Sequence, residues 1–139
     1  THLLEAHYQR EVYYLVDKGE PINADILSEL KLNTLKKFWG DEIVMDKGAE
    51  LTWMRQPHYF MGLYSYTYSA GLTVSTNAAN NIYEKEDGAK NWIEALKAGG
   101  TLKIEELAKL GGVDISTDAA LKNTIAYIGS IVDELEKLI

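Results

Sequence analysis

The sequence predicts an all-α protein, a multi-helix bundle with short connections. Apolar residues recur at three- and four-residue steps in several separate stretches, the spacing that gives a helix one buried stripe. Glycine, proline and capping residues punctuate the ends of those stretches. The run Ile43-Val44-Met45 is too short to found a sheet.

The first helix is expected over residues 2 to 18, with Leu4, Tyr8, Val12 and Leu15 along one side. Gly19 stops it, and Glu20-Pro21 makes a turn. Asn23 is placed to cap a second helix, Ala24 to Trp39. Its expected buried face is Ile26, Leu27, Leu30, Thr34, Leu35 and Phe38, and Gly40 ends it. Residues 41 to 48 read as an irregular link. Ala49 to Met54 reads as a short helical turn, with Trp53 anchored in the core.

Pro57 stands where a helix can begin, and no further proline follows it. The expectation is one long central helix, about residues 57 to 83. Asp87-Gly88 marks a turn, then Ala89 to Ala98 forms a short helix packed through Trp92, Ile93 and Leu96. Thr101 is expected to cap Leu102 to Leu110, with Leu102, Ile104, Leu107 and Leu110 inward. Ser116 or Thr117 caps the last helix. Its stripe is Leu121, Thr124, Ile125, Ile128, Val132, Leu135 and Leu138. Each helix needs its neighbours to bury its stripe, so residues 1 to 139 read as a single helical domain or fragment.

The bulk composition supports a packed core. The chain has 139 residues, of which 46% are hydrophobic and 25% charged. A net charge of −7 disfavours nucleic acid and anionic membranes as general partners. No apolar run reaches membrane-spanning length and no secretion signal is visible, so a cytoplasmic location is the plain expectation. The lack of cysteine removes disulfides, thiol nucleophiles and thiolate metal sites together. The chain starts at Thr1 already in helical phase, which fits either a processed start or a piece of a larger protein.

The chemistry concentrates between Gln56 and Asn80. His58, Tyr59, Tyr64, Tyr66 and Tyr68 gather phenols and an imidazole in one short stretch. Each buried phenol needs a hydrogen-bond partner, so this is an unusual use of tyrosine. On a continuous helix His58 and Tyr66 share roughly one side, while Tyr64 and Tyr68 form an i, i+4 pair. Two readings fit the pattern. Either these groups line a groove and donate hydrogen bonds to a developing oxyanion, or they are satisfied core residues. Arg55 reaches either a carboxylate of a ligand or a structural ion-pair partner. Gly62 and its small neighbours allow close approach of a helix or a peptide, or simply pack tightly. Asn77, Asn80 and Asn81 read as hydrogen bonds within the bundle.

A metal site is not expected on this chain. His2 and His7 are five residues apart rather than four, and no HExxH occurs. Glu5 and Glu11 beside them read as solvated helix charges.

The run WMRQPHYFMGLYSYTYSAG, from Trp53 to Gly71, resembles the C-terminal region of oligoendopeptidase F, among the thimet-oligopeptidase-like zinc metallopeptidases. KGEPINAD, Lys18 to Asp25, resembles a helix-linking segment of that family, and LGGVDIST, Leu110 to Thr117, a late turn. Together the three segments extend the resemblance over nearly the whole chain. Gln56 departs from the isoleucine-like residue common there, and Tyr59-Phe60 is swapped relative to the usual order.

The resemblance implies a C-terminal segment of a larger helical metallopeptidase that hydrolyses internal bonds of short peptides. It implies zinc in the parent enzyme, with the metal ligands supplied by a missing N-terminal portion. His58 and Tyr66 match the histidine and tyrosine that assist the substrate carbonyl, with Tyr64 and Tyr59 weaker candidates for the same groove. Tyr59, Arg55 and Gly62 are the expected substrate-binding positions, and no metal ligand is expected here. The chain alone is expected to be inactive. The alternative is a non-catalytic helical module that binds a peptide or protein.

Overall fold

The computed structural model describes all residues, Thr1–Ile139, and contains helices and turns without strands. The helices are α1 (His2–Asp17), α2 (Ala24–Trp39), α3 (Tyr66–Glu84), α4 (Gly88–Ala98), α5 (Ile104–Leu110) and α6 (Ala119–Glu136). Two 3₁₀ turns, Ala49–Met54 and Pro57–Phe60, lie between α2 and α3. The chain divides into two compact units, Thr1–Ser69 and Ala70–Ile139.

In the first unit α1 packs on α2, and α2 packs on the turn at Ala49–Met54. Leu4 and Tyr8 are the buried apolar residues of α1. Asn23 caps α2 as its position demands, its side chain accepting from the Ile26 amide at 2.9 Å. Trp53 is half-buried and donates from its indole to Ser28 Oγ at 3.1 Å. Burial here is strongly polar: Gln9, Lys31, Thr34 and Ser65 are all enclosed. Phe38, expected inward, is exposed.

The long central helix begins at Tyr66, not at Pro57. Pro57 does open a helical turn, but that turn closes after Phe60. Gly62 then adopts φ +61°, a left-handed conformation that no α-helix continues through. Residues 61 to 65 therefore form a bend that redirects the chain before α3.

In the second unit the core is Ala78, Val113 and Ala120, with Val74, Trp92 and Ile115 packed against it. Asn77 joins α3 to α6, its side-chain amide donating to the carbonyl of Ala120 at 2.9 Å and to Thr124 Oγ1 at 3.0 Å. Asn81 donates to the Gly112 carbonyl at 2.9 Å. Both asparagines thus serve the bundle. Gly88 opens α4 pressed against the backbone of Asn81 and Ile82.

Two expected caps differ. Lys103 rather than Thr101 precedes α5, its amide donating to Glu106 Oε2 at 3.2 Å. Asp118 precedes α6, one or two residues beyond the expected cap at Thr117 or Ser116. The α6 stripe is also less buried than its spacing implies. Thr124 and Ala120 are enclosed, but Ile125, Ile128, Val132 and Leu135 are exposed, as are Ile93 and Leu96 of α4 and Leu102, Ile104 and Leu110 around α5. No helix is long and apolar enough to cross a membrane.

Candidate functional site

The site is built on the bend between Gln56 and Tyr68. This segment has little backbone ladder of its own, so side chains from α1 and α2 hold it. Gln9, 2% exposed, aims its amide nitrogen at the carbonyls of His58, Tyr59 and Gly62. Those carbonyls converge because the 3₁₀ turn and the left-handed Gly62 fold the backbone around one point. The Cβ position of Gly62 meets nothing within 4 Å. Glycine here supplies a backbone conformation, and its carbonyl is an acceptor for α1.

Lys31 of α2 holds the second residue of the bend. The residue is 3% exposed, and its ammonium donates to the Tyr59 hydroxyl at 2.7 Å. It also lies 5.1 Å from the Tyr8 ring centre and 5.0 Å from that of Tyr59, a pair of cation–π contacts. The two rings pack edge to face at 5.0 Å. Burial lowers the Lys31 pKa, with the Glu5 charge opposing. Burial raises the Tyr59 pKa far above the ordinary phenol value, helped by the charge of Glu5 and by Tyr8. The Tyr59 hydroxyl is thus already engaged within the unit.

His58 sits half-buried at the centre of an aromatic cluster. Its Nδ1 lies 3.2 Å from Gln56 Nε2, and its Nε2 lies 3.3 Å from the Tyr68 hydroxyl. The rings of Tyr64 and Tyr68 lie 5.0 and 5.5 Å from the imidazole, and 5.5 Å from each other. His2 stacks on the Tyr68 ring at 4.4 Å. A hydrogen bond to Tyr64 holds the Tyr68 pKa above its ordinary value.

Tyr66 is absent from this cluster. Residues two apart on a helix point to different sides, so the helical start that brings Tyr68 to His58 turns Tyr66 away. The side shared by His58 and Tyr66 was expected from a continuous helix, and the bend removes that continuity. Tyr66 is 52% exposed. Tyr68, which the sequence marked only as the i, i+4 partner of Tyr64, is the phenol bonded to His58. Its signal was that pairing, which holds because Tyr64 lies in the turn two residues ahead of the helix. Arg55 is exposed and forms no ion pair within the chain.

An open pocket of about 180 Å³ lies beside the bend, lined by Tyr8, Val12, Leu27, Trp53, Tyr59 and Phe60 among others. Its walls are almost wholly apolar.

The histidines do not converge on a metal-holding arrangement. His2 Nδ1 lies 3.4 Å from Glu5 Oε2, and His7 Nδ1 lies 3.7 Å from Glu11 Oε1. His58 is committed to Gln56 and Tyr68. No group of three or more histidine, aspartate or glutamate side chains is placed to hold a metal ion. The donor set of this chain therefore does not fit a zinc centre.

Comparison with known proteins adds what this geometry lacks. The Borreliella burgdorferi oligoendopeptidase F homolog is 29% identical over 134 residues, which is 96% of this chain and 23% of that protein. The chain is similar to proteins named oligoendopeptidase F or PepF. The Bacillus subtilis oligopeptidase PepF is 27% identical over 135 residues, 96% of this chain and 20% of its own length. The crystal structure of oligoendopeptidase-F from Enterococcus faecium superposes with a TM-score of 0.91 at 24% identity, covering 99% of this chain and 26% of that one. That likeness establishes the all-helical fold. No family model matches the chain. The chain thus spans only about a fifth to a quarter of the oligoendopeptidase F relatives it matches.

Proposed function

We propose that this chain is the C-terminal segment of an oligoendopeptidase F-like zinc metalloendopeptidase acting on internal bonds of short peptides. In this reading the segment supplies the oxyanion-side wall of the cleft, and residues of a longer polypeptide hold the zinc. The observation that carries the reading is the contact of His58 Nε2 with the Tyr68 hydroxyl at 3.3 Å. That bond is long and half-open to solvent, so a substrate carbonyl oxygen can exchange into it. Tyr66 adds an uncommitted phenol nearby in sequence, and Tyr64 packs against the imidazole to hold its plane. Preformed donors of this kind stabilise charge that develops on an acyl oxygen, because no reorganisation is needed as the charge appears. Arg55, exposed and unpaired, is suited to a peptide carboxylate.

The test is peptide hydrolysis by the complete polypeptide, with cleavage positions read by mass spectrometry. Cleavage at internal bonds, abolished by a chelator, supports the reading. Intact peptides, or removal of terminal residues only, reject it. The 139-residue chain by itself is expected to release no product even with zinc added.

A second reading, a non-catalytic helical module that binds a peptide or protein, is favoured by the apolar pocket beside Trp53 and Phe60. Peptide binding without turnover by the complete polypeptide would select it.

A further inference from the structure

We propose that Gln56 is a positioning residue that sets the tautomer of His58, making Nε2–H its outward donor. The inference deepens the proposed function and depends on it only for the catalytic consequence.

Glu5 decides which way round the Gln56 amide sits. An ionised carboxylate accepts hydrogen bonds and donates none. The amide end at 3.4 Å from Glu5 Oε1 is therefore the NH₂. The same nitrogen lies 3.2 Å from His58 Nδ1. Its two hydrogens thus serve two acceptors, one each. An N–H aimed at Nδ1 requires a lone pair there, which places the imidazole proton on Nε2. Nε2–H then faces the Tyr68 hydroxyl oxygen at 3.3 Å.

The carboxylate at the head of this series is itself largely enclosed. The Glu5 side chain is 13% exposed, and its other oxygen faces His2 Nδ1 at 3.4 Å. The chemical payoff lies at the far end. A substrate carbonyl needs a donor, and of the two neutral imidazole tautomers only Nε2–H lets His58 offer one on the Tyr68 side. The opposite tautomer would set a lone pair against the carbonyl oxygen.

Nitrogen NMR of the histidine-labelled chain at neutral pH reads which ring nitrogen carries the proton. The His58 signals are identified by their loss in His58→Phe. The expected result is a dominant Nε2–H form, with the Nδ1–H share rising roughly fivefold in Gln56→Met, the worth of one ordinary hydrogen bond. A neutral His58 protonated mainly on Nδ1 overturns the proposal, as does an unchanged ratio in Gln56→Met. Tyr68→Phe removes the partner at the other nitrogen and tests the same point in a separate variant. Nε2–H should stay dominant there, and a switch to Nδ1–H would assign the control to Tyr68 instead. In the complete polypeptide Gln56→Met should lower kcat roughly fivefold with KM nearly constant. A shifted tautomer with unchanged kcat supports the role of Gln56 and removes His58 from the proposed chemistry.

Discussion

The ammonium of Lys31 donates to the hydroxyl of Tyr59 across 2.7 Å, and no carboxylate pairs with it. A buried cation held by a phenol and two ring faces makes stability depend on pH in two opposing ways. Below the lowered folded pKa of Lys31, the folded chain bears the cost of enclosing the charge and the unfolded chain does not. That cost fades as pH rises through the folded pKa toward the ordinary 10.5, so stability increases. Tyr8 and Tyr59 act in the other direction. Their folded pKa values are raised by burial, Tyr8 to about 12, while unfolded phenols ionise near 10.0. Stability is lost as pH climbs above 10.0. Urea midpoints measured against pH should lose the rising limb in Lys31→Met and show a gentler alkaline fall in Tyr59→Phe.

The contact between His58 and Tyr68 predicts coupled kinetics in the complete polypeptide. If the two act as a unit, adding Tyr68→Phe to His58→Ala should change kcat by less than about threefold. Tyr68→Phe alone should cost more than that. Fully additive losses would separate the two residues.

Tyr66 makes a sharper case, because its hydroxyl has no intramolecular partner to lose. Tyr66→Phe in the complete polypeptide should lower kcat about 10²-fold, the cost of removing one oxyanion donor, with little change in KM. An unchanged kcat would exclude it from the wall of the cleft.

Two helix glycines should respond oppositely to alanine. A Cβ on Gly88 would collide with the Asn81 carbonyl and come within 2.8 Å of Ile82 Cα. Both obstacles are backbone, so Gly88→Ala should cost about 2 kcal/mol or more. Gly71 lies within α3 with nothing within 4 Å of its Cβ position. Gly71→Ala should stabilise by about 0.5–1 kcal/mol, the ordinary helix-interior gain. Chemical denaturation of the two variants checks both signs.

Asn77 sits between two helices with several acceptors in reach. Its amide faces the carbonyls of Thr73 and Ala120 and the Thr124 hydroxyl, the last belonging to a residue that is 3% exposed. Asn77→Ala should destabilise the second unit by about 1–3 kcal/mol, because a buried acceptor loses its donor. Hydrogen exchange at the amides of α6 would localise the effect.

The helices were readable because their signals are local. Asn23 ahead of a periodic stripe, Gly40 behind it, and the paired glycines after α4 and α5 each act within a turn of the boundary they set. The late start of α3 was hidden because Pro57 is a good opening residue for either kind of helix. What decides is the left-handed Gly62, and a glycine inside a helical pattern gives no sign of its φ angle. Burial was the least readable property. Spacing shows that Ile125, Ile128 and Val132 share a stripe, but whether anything covers the stripe is settled by distant chain. In the candidate site, the sequence identified the imidazole and the phenols. It could not show that Tyr68 is the one bonded to His58, since that depends on the bend.

The grip of Gln9 on the carbonyls of residues 58, 59 and 62 has a mechanical meaning. A bend without regular structure is ordinarily soft, yet this one borrows rigidity from a helix nearly fifty positions earlier in the chain. The precision of the imidazole is thereby an inherited property of α1, and wear at that distant helix would blur the site while leaving every residue in it unaltered.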